Sequence, residues 1–231
     1  MLFSPEPAVV VALPGTGSDS AFAQRAFGAA CAARDLRILP VQPDPGAVVE
    51  SCLAALDSAA AQYGRVVAAG ISLGAAIAVE WGCANPGLAA GVVAGLPAWT
   101  GGRDGECPAA LSARVTAELV RAEGLAETIA RMRASSPAWL AETLTRSWRG
   151  YGAALPDVLL EAARYPWPAE ARLRSLTVPT VVVGAVDDPV HPFPVAEQWA
   201  ALIPGAVLHK MTLAEFGADP ALLGHLALGT P

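Results

Sequence analysis

Residues 66–81 read Val66-Val67-Ala68-Ala69-Gly70-Ile71-Ser72-Leu73-Gly74-Ala75-Ala76-Ile77-Ala78-Val79-Glu80-Trp81. The first four form a short continuous apolar run, the pattern of a strand covered on both faces. The run from Ala75 to Trp81 is helix-like. Gly-x-Ser-x-Gly lies between them, at residues 70–74. A serine on a sharp strand-to-helix turn is pushed beyond the sheet edge with its hydroxyl exposed. Glycines two residues before and after it remove Cβ atoms that would collide in so tight a turn. The helix that starts there aims free backbone N–H groups at whatever the serine attacks. The five letters alone are a weak signal; the strand before and the helix after give them meaning. Ser72 also suits a plain helix N-cap, but the flanking glycines favour a nucleophile.

The same alternation extends in both directions. Residues 8–13 are a continuous apolar run that breaks at Pro14-Gly15-Thr16-Gly17-Ser18-Asp19, with a helix-like stretch to about residue 34. Residues 36–41 suggest a second strand and 46–63 a helix. The helix over 73–84 stops at Asn85-Pro86-Gly87. Strands are expected over 89–96, 180–184 and 207–211, and helices around 194–203 and 219–228. This βαβ order predicts an α/β fold with a mostly parallel sheet and helices on both faces. Residues 97–176 are the exception, with helical patterning, no convincing strand and four of the six tryptophans. The expected division is a core of 1–96 and 177–231 and a helical cap or lid of 97–176, with Gly101-Gly102-Arg103-Asp104-Gly105 as its hinge. A plain helical subdomain with tryptophans in its own core is the alternative.

Composition excludes several classes. The net charge of −6 leaves no basic stripe for nucleic acid. Hydrophobic residues make up 54% of the chain. No apolar stretch runs for about 18 residues without Gly, Pro or charge, so no membrane span is expected. The N-terminus has no signal-peptide pattern, and a cytoplasmic protein is expected. Cys31, Cys52, Cys83 and Cys107 show no C-x-x-C spacing and read as reduced structural residues, with no metal site. The Gly-rich loop at 14–17 has no following Lys and no G-x-G-x-x-G, which argues against a phosphate cradle.

The arrangement resembles the α/β-hydrolase fold. The matching features are residues 70–74, the glycine-rich loop 14–17, Gly184-Ala185-Val186-Asp187 after a later strand, and the helical insertion. The resemblance runs from about residue 8 to the C-terminus and lacks the first two strands of larger members. It implies a serine hydrolase acting on a small, largely apolar ester, thioester or related acyl compound, without cofactor. By resemblance, Ser72 is the nucleophile and Leu73 gives one oxyanion N–H. The loop gives the other, at Thr16 with Gly17 as fallback. Pro14 stands where relatives often have His, which leaves the backbone donors in place.

Asp187 is the expected acid, with Asp188 adjacent; Asp-Asp-Pro also makes a good turn in its own right. The base is harder to place. Relatives carry it in the loop after the last strand, and here that loop reads Thr212-Leu213-Ala214-Glu215-Phe216-Gly217. His225, in Gly224-His225, keeps the chain order Ser, Asp, His and is the expected base. His191 and His209 remain open, as does Glu215 if no histidine serves. Trp99 and His191 are expected at the substrate pocket. Two other readings stay open. One is an acyltransferase on the same machinery; the other is a protein with a degenerate triad, with a binding, cyclisation or lyase role. The oligomeric state is open, a homodimer included.

Overall fold

The computed structural model describes residues 9–101 and 107–229. Six parallel strands lie in the order β2-β1-β3-β4-β5-β6. They are β1 (Val9–Leu13), β2 (Arg37–Pro40), β3 (Val66–Ile71), β4 (Ala89–Gly95), β5 (Thr180–Ala185) and β6 (Val207–Met211). The helices of the α/β part are α1 (Ser20–Ala32), α2 (Val48–Tyr63), α3 (Leu73–Ala84), α9 (Phe193–Leu202), α10 (Leu213–Ala218) and α11 (Ala221–Leu228). Between β4 and β5 the described residues hold α4 (Pro108–Glu123), α5 (Leu125–Ser135), α6 (Ala138–Tyr151), α7 (Leu155–Arg164) and α8 (Glu170–Arg174), with one 3-10 turn at 152–154 and no strand.

Side chains alternate across a strand, and both faces of this sheet are covered. Val9, Val11 and Leu13 enter the core shared with α2, α3, α9 and the helices after β4. Val10 and Ala12 enter the core shared with α1, α10 and α11. The two-sided cover explains the unbroken apolar runs of β1, β3, β4 and β5. β2 and β6 form the edges and are less buried.

All six expected strands are present, within two residues at each end. Residues 212–217 differ from the expected loop. Thr212 Oγ1 accepts from Glu215 N (3.1 Å) and Glu215 Oε2 accepts from Thr212 N (2.7 Å), a capping box that starts α10. Beyond Gly101, the expected hinge 101–105 lies outside the described residues. No helix among the described residues is long and apolar enough to cross a membrane.

The strand order reverses direction between β1 and β3. Ligands of open parallel sheets bind beside the strand C-termini at such a point. Here the point is bordered by loop 14–19 and by Ser72. Helix α6 crosses above the loop. Arg146 donates to both carboxylate oxygens of Asp19 (3.1 and 2.8 Å), the Tyr151 hydroxyl donates to the Ser18 carbonyl (2.7 Å), and Arg25 of α1 donates to Thr143 Oγ1 (2.8 Å).

Candidate active site

Ser72 has φ 54° and ψ −114°, a backbone conformation that non-glycine residues rarely adopt. Such strain costs about 1–3 kcal/mol and persists only where surrounding structure imposes it. Here Ser72 N donates to the Gly95 carbonyl (2.8 Å), and the Ser72 carbonyl accepts from Ala75 N (2.9 Å) and Ala76 N (3.2 Å). The two glycines have steric reasons. A Cβ on Gly70 would fall on the Gly74 carbonyl, and one on Gly74 would lie 2.6 Å from the Leu13 carbonyl oxygen and 2.7 Å from that of Pro14. The Ser72 side chain makes no N-cap hydrogen bond to α3, so the helix-cap alternative does not hold.

The hydroxyl is engaged elsewhere. Ser72 Oγ lies 2.9 Å from His191 Nε2, and His191 Nδ1 lies 2.8 Å from Asp188 Oδ2. The second carboxylate oxygen, Asp188 Oδ1, accepts from Val190 N (2.8 Å) and His191 N (3.2 Å), which folds the loop after β5 back on itself. Burial pushes the Asp188 carboxyl up. The hydrogen bond and charge of His191, with the N–H groups of Val190 and His191, outweigh burial and hold it below its ordinary value. A carboxylate on Nδ1 fixes the tautomer that leaves Nε2 free to take the serine proton.

The structure brings neither the expected acid nor the expected base into this line. Asp187 is exposed, and its Oδ1 accepts from Leu213 N (2.7 Å), fastening the loop after β5 to the start of α10. His225 sits in α11, and its ring makes no hydrogen bond among the described residues. The glycine before it serves packing, since a Cβ on Gly224 would meet the Ala26 carbonyl of α1 at 2.5 Å. His209 lies in edge strand β6, paired in register with Val183, and Glu215 is held in its capping box. The signal that pointed to the observed pair was Asp188-Pro189-Val190-His191, an Asp and a His three residues apart in one tight turn.

Loop 14–17 lies against the serine. A Cβ on Gly15 would meet the Ile71 carbonyl oxygen at 3.3 Å and Ser72 Cβ at 3.4 Å. Among the described residues, neither the Thr16 nor the Leu73 N–H has an acceptor, so both expected oxyanion donors are free. Trp99 is half-buried beyond β4; its carbonyl accepts from Trp199 Nε1 of α9 (3.1 Å). The cysteines offer no rival nucleophile. All four are free of disulfides, and burial pushes the Cys31 and Cys52 thiols up to about 12. Among the described residues no group of three or more His, Cys, Asp or Glu could hold a metal ion.

The sequence pattern of the Alpha/beta hydrolase family matches residues 2–226. The chain belongs to this family. Solved structures share its fold. An alpha/beta hydrolase enzyme, MGS-M2, from a Medee basin deep-sea metagenome library superposes with a TM-score of 0.70 at 13% identity, covering 94% of this chain and 86% of its own. The enol-lactonase from Burkholderia xenovorans LB400 gives 0.65 at 15% identity, with 89% and 83% covered. A thermophilic esterase from Thermogutta terrifontis gives 0.63 at 21% identity, with 89% and 81% covered. At these identities the likeness is one of fold. No curated protein matches the chain. Within this alpha/beta hydrolase the histidine within hydrogen-bond reach of Ser72 comes from the loop after β5, and the position after the last strand is taken by α10.

Proposed function

We propose that the protein is a serine hydrolase that cleaves a small, largely apolar ester, thioester or related acyl compound through an acyl-enzyme on Ser72. One observation carries this reading: the unbroken line Ser72 Oγ–His191 Nε2 (2.9 Å) and His191 Nδ1–Asp188 Oδ2 (2.8 Å). His191 Nε2 accepts the hydroxyl proton as Ser72 Oγ attacks the acyl carbon. The charge that builds on the carbonyl oxygen is met by the free N–H groups of Leu73 and Thr16. The imidazolium is stabilised by Asp188 and returns its proton to the leaving alcohol or thiol. Water, activated by the same Nε2, then releases the acid and restores Ser72. The helices between β4 and β5 serve as a cap, since α6 closes over the loop that carries Thr16.

A histidine within hydrogen-bond reach of Ser72 favours hydrolysis over a degenerate triad. Hydrolysis of p-nitrophenyl acetate tests the proposal. Steady release of p-nitrophenolate, lost in Ser72→Ala, supports it. Turnover equal in wild type and Ser72→Ala, or none in folded wild type, rejects it.

A further inference from the structure

Among the described residues, three buried polar side-chain atoms make no hydrogen bond: Ser18 Oγ, Trp99 Nε1 and Trp148 Nε1. Buried donors are nearly always paired, so each of these calls for a reason. Two of the three border loop 14–18. A Cβ on Gly17 would lie 3.1 Å from Trp148 Nε1 and 3.2 Å from Leu159 Cδ2, so the indole edge of α6 rests directly over Gly17. Gly17 has φ +67° and no side chain to fill that space. Ser18 follows it, with its carbonyl held by Tyr151. At the other end of the same loop, Gly15 rests on Ser72. The loop thus runs from the nucleophile at Gly15, past the Thr16 N–H, to two unsatisfied donors at Gly17 and Ser18. Trp148 and Ser18 are 6% and 7% exposed, so bulk water is a poor partner for either.

We propose that Trp148 Nε1–H, over Gly17, and the neighbouring residue's Ser18 Oγ together form a substrate-recognition site, and that the substrate carries a second, neutral oxygen acceptor within a few bonds of its scissile carbonyl. This deepens the serine-hydrolase reading and rests on it. The acceptor is neutral because the arginines that meet at this end of the loop are already engaged, Arg146 on Asp19 and Arg25 on Thr143 and the Phe22 ring. An α-alkoxy, α-hydroxy or keto acyl group has the required chemistry. A site built to hydrogen-bond an oxygen discriminates against the analogue that lacks it, because its donors are then left unpaired. Trp148 acts here on the substrate's spare oxygen; Ser72, His191 and Asp188 act on the reacting carbonyl.

Two p-nitrophenyl esters of equal shape, the methoxyacetate and the butyrate, differ only by an oxygen in place of a methylene. Trp148→Phe keeps an aromatic ring and deletes the N–H. The ratio of kcat/KM for methoxyacetate over butyrate is expected to fall about tenfold from wild type to Trp148→Phe. An unchanged ratio overturns the proposal, whatever happens to the two rates separately, because a packing role moves both alike. The second measurement does not depend on turnover or on the folding of that variant. In 15N-labelled Ser72→Ala protein, one of the six indole N–H resonances belongs to Trp148. It is expected to move downfield with ethyl methoxyacetate and not with ethyl butyrate, and an equal response to both, or none, overturns the proposal. Failure of the hydrolase reading shows differently, as wild type that turns over neither p-nitrophenyl ester.

Discussion

Asp188 and His191 sit three residues apart in one loop, and the 2.8 Å bond between Asp188 Oδ2 and His191 Nδ1 joins them within a single turn. Both side chains in line with the Ser72 hydroxyl therefore come from the C-terminal end of β5. The acid's other oxygen is spent on Val190 N and His191 N, so the carboxylate shapes the turn that presents its own histidine. Loss of His191 should remove the base without disturbing the sheet. His191→Ala is expected to lower kcat about 10⁶-fold. His225→Ala, on α11, should stay within about threefold of wild type. Both are read from steady-state ester hydrolysis, with circular dichroism as the check on folding.

Asp188→Asn tests orientation separately from charge. The amide keeps an acceptor for the turn but no longer holds His191 in the tautomer that leaves Nε2 basic. A loss of about 10³–10⁴-fold in kcat is expected, with KM little changed. Asp187→Ala removes only the acceptor for Leu213 N. It should cost about 1 kcal/mol of stability in urea titration and leave kcat near wild type.

The pH dependence of stability follows from the same carboxylate. Its folded pKa is held below the ordinary 3.8, so the native state favours the charged form. The stabilisation is complete above the unfolded value and is lost as pH falls through the folded one. The stability difference between wild type and Asp188→Asn, from urea titrations across pH 3–6, should shrink on the acid side of about 4. A difference that grows with acid contradicts this.

The glycines of the turn at Ser72 should resist replacement for different neighbours. Gly74→Ala drives a Cβ into the Leu13 and Pro14 carbonyls, and Gly70→Ala drives one into Gly74. Each is expected to destabilise by about 2 kcal/mol or more. Gly150, exposed in α6 with nothing within 4 Å of a Cβ, is the contrast. Gly150→Ala should raise stability by about 0.5–1 kcal/mol. Thermal melts of the three variants decide it.

The sheet was legible because every central strand is buried on both faces and so is written as an unbroken apolar run. Ser72 was legible because its glycines answer local backbone contacts. The side chains that line up on Ser72 were not, because their choice depends on where side chains point. Asp187 and Asp188 are adjacent in the turn after β5, yet one accepts from Leu213 N and the other pairs with His191. Gly224-His225 looked catalytic because a glycine precedes the histidine, but that glycine answers to helix packing on Ala26. Helix α10 could have been read from Thr-x-x-Glu at 212–215, a capping signature that occupies the place expected for the base.

The central claim is that His191 activates Ser72, and intact mass after brief exposure to a fluorophosphonate tests it most directly. One adduct is predicted on wild type and on His225→Ala, and none on Ser72→Ala or on His191→Ala in the same time. Labelling that persists in His191→Ala and disappears in His225→Ala would contradict the account.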